Sequence, residues 1–421
     1  MKARRLGVPS ASALVVANMV GAGVFTTSGF AVGDLGSRRF VLLAWAVGGG
    51  IALCGALSYG ALARRFPESG GEYLFLSRMV HPLAGFLAGW VSLLAGFTAP
   101  IAAAALGLQA YVGYSFGTEI RPEWIGTLAI AAAGAIHGMR FREGVWLQNV
   151  AVALKLLLIF AFIAFGLSVI PAREAAAPRS VDFVWGAFAV TLVWISFSYS
   201  GWNAAVYIAG EVRDPERSLR RSLLLGTSVV MVLYLGLNTV FLYAVPVADL
   251  AGRAEVGAIA ARALGGASLE RGVSMLVALA LFTSIWSMVM AGPRVYAKMA
   301  EDGLFPQVFR AGDEAPQAAI ALQAGAVIAV VWLSGLAELL SYIGFTLGVS
   351  AAITVSALVF LRLREGAERI RVPGFPLVPF AFVAATLWAA GFMALREPLH
   401  AAMGLATAGV GVPVYFWLRR S

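Results

Sequence analysis

The chain has 421 residues, 60% of them hydrophobic and 13% charged, with a mean hydropathy of +0.84 and a formal net charge of +9. Soluble domains carry about 25% charged residues, so this composition cannot cover a water-facing surface and excludes a soluble enzyme. The bilayer is the remaining solvent, and the excess of basic residues, confined to short loops, points to no nucleic acid.

In chain order, stretches free or nearly free of Asp, Glu, Lys and Arg run over 6–33, 40–63, 79–118, 124–139, 144–172, 183–210, 222–248, 272–293, 315–337, 339–361, 372–395 and 398–418. They predict twelve transmembrane helices, spans 1 to 12, since one crossing takes roughly 20 apolar residues. Continuous apolar runs do not fit the alternation of a barrel strand, and helices satisfy their own backbone groups in lipid. The fold class is therefore an all-α integral membrane protein. A cleavable leader is a poorer reading of residues 1–33, because the apolar run is long and carries a glycine cluster.

Span 1 has Gly21-Ala22-Gly23 near its middle. Span 2 holds the single cysteine, Cys54, which precludes a disulfide within the chain and reads as a small buried hydrophobe. Span 3 is long enough for two crossings, and charge decides. As one tilted helix with a cytoplasmic N-terminus, it leaves 21 basic residues in inner segments and 9 in outer ones; split in two, it leaves 13 inside and 17 outside. The positive-inside rule selects one helix and places both termini in the cytoplasm. Span 5 carries Lys155, about 15 Å deep at 1.5 Å per residue. A lysine at mid-membrane costs roughly 2.5–3.5 kcal/mol on insertion scales and is a functional hypothesis by default. Span 6 has Ser198-Tyr199-Ser200-Gly201 near its middle. Span 8 offers the hydroxyls of Thr283, Ser284 and Ser287. His81, His137 and His400 are scattered without metal-ligand spacing, so no metal site and no cofactor are expected.

Five spans precede residue 180 and five comparable ones follow. An odd-numbered unit repeated in tandem must insert upside down the second time, giving an inverted repeat. This divides the chain into 1–172 (spans 1–5), 173–362 (spans 6–10) and 363–421 (spans 11 and 12). The glycine and serine clusters occupy equivalent places in the first span of each half, where such folds are discontinuous. A break frees N–H groups that attract an anion and C=O groups that attract a cation, and a zwitterion supplies both. The competing reading is that these small residues only let helices pack closely.

Five stretches resemble the amino acid–polyamine–organocation superfamily, and its L-amino-acid transporter branch in particular. They are GAGVFTTSG in span 1, FPESGGEYLFLSR with GFLAGW before and in span 3, FSYSGWN in span 6, the following EVRDPERSLRRS, and RVYAKMAEDGLFP after span 8. The resemblance implies a five-plus-five transporter fold with two added helices. It implies that N–H groups of Gly21, Ala22 and Gly23 hold an amino acid carboxylate. Carbonyls near Met19 and Val20, and those of Phe197, Ser198 and Ser200, would hold the ammonium across the Gly201 turn. Phe197 corresponds to the aromatic gate, and Tyr199 and Asn203 to positions beside the pocket; Trp202 reads as structural. Lys155 stands where related transporters carry a lysine that replaces a sodium ion and links span 5 to span 1. That reading implies proton coupling or sodium-independent exchange, while the span 8 hydroxyls keep sodium open. Bridging carbonyls from a wet vestibule is the plainer role for Lys155.

No carboxylate lies inside a span, which favours a small or medium neutral amino acid over a cationic amino acid, amine or polyamine. The expected function is thus a multi-pass carrier of the cytoplasmic membrane, not an enzyme. A channel or a non-transporting amino-acid sensor on the same fold are the alternatives.

Overall fold

The computed structural model describes residues 6–116, 121–139, 141–170, 182–310 and 316–419. The expected boundary between residues 172 and 173, the terminal residues 1–5 and 420–421, and the His137 side chain lie outside the described residues. The described residues form helices and connecting turns, with one isolated parallel bridge between Leu6 and Val212.

Nine helical stretches among the described residues are long and apolar enough to cross a membrane: Val8–Leu35, Arg38–Arg65, Pro82–Gly113, Asn149–Val169, Pro215–Ala244, Val256–Glu301, Leu336–Glu365, Leu377–Arg396 and Pro398–Leu418. Glu123–Ala135 and Gln317–Leu333 are shorter apolar helices. The expected third span is one continuous helical stretch, Pro82–Gly113. Outer faces of the helices fit a hydrocarbon surrounding: Leu157 and Phe160 in Asn149–Val169, and Leu399 and Trp417 in Pro398–Leu418, are exposed apolar side chains, where water would favour charge.

The first stretch contains two helices, α1 (Val8–Met19) and α2 (Ala22–Leu35), separated at Val20 and Gly21. Gly36, with φ +60°, stops α2 in the left-handed conformation that glycine adopts without steric cost. α3 (Arg38–Arg65) follows, and then α4 (Gly71–Met79), a short helix entered through Gly70 and Gly71, both at positive φ. Pro82 opens α5 (Pro82–Val91), with His81 Nδ1 accepting from the Leu83 N–H at 3.1 Å. α5 widens into a π-helical turn over Ser92–Thr98 before α6 (Ala99–Phe116), a distortion frequent at functional sites. α7 (Pro122–Met139) and α8 (Phe141–Val169) follow.

Next, α9 (Trp185–Tyr199) ends at Ser200. A turn over Ser200–Asn203 leads into a 3-10 segment, Ala204–Glu211. α10 (Pro215–Ala244), the short α11 (Val247–Leu250), and α12 (Val256–Ala291) follow. α12 kinks at Gly265 and Gly266, and Pro293 opens α13 (Pro293–Glu301). α14 (Gln317–Leu333), α15 (Leu336–Glu365), α16 (Leu377–Arg396) and α17 (Pro398–Leu418) close the chain. The core is lined by the faces of α1, α2, α3, α6, α9, α10 and α12, whose small residues bring backbones close together.

Candidate functional site

The interruption between α1 and α2 is local. Val20 has φ −77° and ψ 84°, Gly21 φ −137° and ψ −149°, and neither continues a helix. The interruption after α9 turns on Gly201, whose φ of +95° costs an ordinary L-residue about 1–2 kcal/mol. A Cβ on Gly201 would lie 2.9 Å from the Asn18 Cβ, and one on Gly23 would lie 2.5 Å from the Ser198 Cα. The two interruptions therefore face each other at backbone contact, and glycine is what permits it.

Between them lies a cavity of about 80 Å³. Of the residues expected to bind a ligand, it is lined by Met19, Gly21, Ala22, Gly23, Phe197, Ser198, Ser200, Gly201 and Asn203. Val20 and Tyr199 do not line it. Tyr199 is buried behind the cavity, where its hydroxyl donates to the Trp45 carbonyl at 3.0 Å and its ring packs against Trp45 and Tyr234. Trp202, expected to be structural, does line the cavity and packs edge-on against Tyr59 at 4.7 Å.

The backbone groups divide unequally. The Gly21 N–H donates to the Met19 carbonyl at 2.9 Å. Ala22 and Gly23 are the first two residues of α2, whose N–H groups have no preceding turn to bond. These two carry the positive end of the α2 dipole into the cavity. On the opposite side, the Phe197 carbonyl accepts from the Ser200 N–H at 2.8 Å. Tyr234 Oη reaches the Ser198 carbonyl at 2.9 Å and the Met19 carbonyl at 2.5 Å. One phenol proton from α10 thus spans both interruptions. The Phe197 and Ser198 carbonyls each keep a second lone pair, whereas both lone pairs of the Met19 carbonyl are occupied.

Lys155 is fully buried. Its Nζ donates to the Val20 carbonyl at 3.2 Å and to Thr283 Oγ1 at 3.0 Å, while Thr283 donates to the Ala280 carbonyl at 2.9 Å. The ammonium joins α8, the end of α1 and α12. Ser287 Oγ donates to the Ser284 carbonyl at 2.9 Å, and Ser284 Oγ abuts Gly21.

One wall was not foreseen. Glu72, in the first turn of α4, lines the cavity although its sequence position lies between spans. Its Oε1 accepts from Asn203 Nδ2 at 2.6 Å and Tyr59 Oη at 3.0 Å, and its Oε2 from Tyr207 Oη at 2.5 Å. The expectation of a site without a carboxylate is corrected here: α4 folds inward, and no span needs to carry the acid. The Gly70-Gly71 pair ahead of Glu72 is the signal that could have shown it, because two positive-φ residues turn a chain sharply into a helix start. Tyr234 left no such signal; its role emerges from the register of α10 against both interruptions.

Residues 6–409 match the amino acid permease family. The chain is 25% identical to the serine/threonine exchanger SteT of Bacillus subtilis, over 99% of this chain and 97% of that protein. It is 24% identical to human Asc-type amino acid transporter 1, over 98% of this chain and 82% of that protein. With the human large neutral amino acids transporter small subunit 2, identity is 26% over 98% of this chain and 80% of that protein.

Proposed function

The chain belongs to the amino acid permease family, and from that premise we propose that it carries small neutral amino acids across the cytoplasmic membrane by alternating access. The observation that carries this reading is the cavity between the two interruptions. Open N–H groups of Ala22 and Gly23 suit a carboxylate. The Ser198 carbonyl suits an ammonium beside the Tyr234 hydroxyl, and the Met19 carbonyl suits one in its place. Phe197 lies against the same space as its aromatic cover. The modest volume of the cavity, about 80 Å³, is in keeping with a small substrate.

In this reading the chain has twelve spans, an inverted five-plus-five repeat with two added helices, and both termini in the cytoplasm. Spans 1 and 6 are its discontinuous helices. The bundle of spans 1, 2, 6 and 7 rocks against the rest, and no bond is made or broken, so the protein is a carrier and not an enzyme. Lys155 takes the place of a sodium ion between Val20 and Thr283, which makes transport proton-coupled or an exchange. A relative named as a serine/threonine exchanger supports the substrate class, and one named as a large neutral amino acids transporter supports its neutrality alone.

A second reading, transport of cationic amino acids or amines, is favoured by Glu72 alone. Flux of labelled serine, alanine, lysine and putrescine into proteoliposomes tests both. Uptake or counterflow of the neutral amino acids supports the first reading, and flux of lysine or putrescine without them supports the second. Ligand binding without any flux identifies a sensor.

A further inference from the structure

Glu72 does more than close a wall. A carboxylate offers about four acceptor positions. Three are taken, by the phenols of Tyr59 and Tyr207 and the amide of Asn203, and all three donors are neutral. Among the described residues no lysine, arginine or histidine pairs with it. The one position left is on Oε2, and Glu72 borders the cavity with the small part of its surface that is not buried, 5%.

The group is also fixed in place. Gly71 holds φ +56° with its Cα pressed on the Tyr207 ring, where a Cβ would lie 2.2 Å from Tyr207 Cε1. Phe97 packs edge-on against Tyr207 at 5.1 Å, and Trp202 against Tyr59 at 4.7 Å. A preorganised acceptor set among aromatic rings gains most from one further donor and least from a methyl group, because exclusion of water strengthens the bond.

Resting on the carrier reading above, we propose that Glu72 is the side-chain specificity determinant of the cavity. Its open lone pair accepts a hydrogen bond from a donor on a short substrate side chain, so serine and threonine are taken in preference to alanine and 2-aminobutyrate. Hydrogen bonds to charged groups correspond to about a tenfold to hundredfold preference for the hydroxylated member of each pair.

The test is calorimetric titration of the full-length purified protein with these four amino acids, on wild type, Glu72→Gln and Glu72→Asp. The wild type is expected to bind serine at least about tenfold more tightly than alanine. Glu72→Gln is expected to bring that ratio close to one, and Glu72→Asp, which keeps the carboxylate, to retain part of it. A merely structural role would weaken both ligands and leave the ratio in place. A wild-type ratio near one, or a ratio unchanged in Glu72→Gln, overturns the proposal. The wild-type ratio and Glu72→Asp decide the matter if Glu72→Gln does not fold. A wild type that binds none of the four contradicts the carrier reading instead.

Discussion

Tyr234→Phe deletes one oxygen and leaves the ring, so packing against Trp45 and Tyr199 is kept. What goes is the hydroxyl that reaches the Met19 carbonyl on α1 and the Ser198 carbonyl on α9. A buried group left without its partner costs about 1–3 kcal/mol. The Met19 carbonyl retains the Gly21 N–H, and a phenol has a single proton to give, so the lower part of that range applies, about 1–2 kcal/mol. If the tie holds the two interruptions in register for the ligand, that energy is lost from binding. The affinity for a transported amino acid then falls about fivefold to thirtyfold. Tyr296→Phe is the matched control. Tyr296 is fully buried and its hydroxyl has no partner among the described residues, so the same atom is deleted without a bond being lost. Thermal-shift titration in detergent reads both quantities. Tyr234→Phe should lower the melting temperature by about 2–4 °C and weaken the ligand, while Tyr296→Phe should do neither. Equal behaviour of the two variants, or Tyr234→Phe within twofold of wild type, refutes the reasoning.

Gly201→Ala should destabilise the protein by about 1–2 kcal/mol from backbone strain alone, more with the contact to Asn18, and ligand-induced stabilisation should be lost with it. Gly23→Ala should abolish ligand binding, because its methyl group would enter the Ser198 backbone and push the interruptions apart; unchanged affinity by calorimetry would contradict their close approach. Lys155→Ala leaves the Val20 carbonyl and Thr283 Oγ1 facing a space that a cation had filled. Wild-type stability should therefore be indifferent to replacing sodium with choline, and the variant should gain a sodium-dependent rise in melting temperature; no such gain would separate Lys155 from a sodium-like role.

The helical, multispanning character was legible in composition alone, because few charges and long apolar runs permit little else. The clusters at Gly21–Gly23 and Ser200–Gly201 were legible as places where a helix is weak, and α1 and α9 end beside them. Lys155 stood out as a charge among apolar neighbours; the helical rise gave its depth, the family resemblance implied its tie to span 1, and its bond to Thr283 on α12 emerged from the structure. Side-chain direction was less accessible. Tyr199 sits within the span 6 cluster yet points away from the cavity to Trp45, because successive residues of a helix lie about 100° apart and only one face can meet the ligand. Glu72 was hidden for another reason: charge segregation separates spans from loops, but it does not show that a loop folds back between them. Met19 and Ser198 were expected to offer free carbonyls, and the tie from Tyr234, 215 and 36 residues further along the chain, is a tertiary fact with no local pattern.

Calorimetric titration with serine, ethanolamine and glycerate is the most direct measurement, since the three share a hydroxylated carbon and differ in which charge they carry. If the paired interruptions cradle a zwitterion, serine binds, and ethanolamine, lacking the carboxylate, and glycerate, lacking the ammonium, each bind at least about a hundredfold more weakly. Ethanolamine or glycerate binding as tightly as serine would mean that one of the two helix ends takes no part, and would contradict the account.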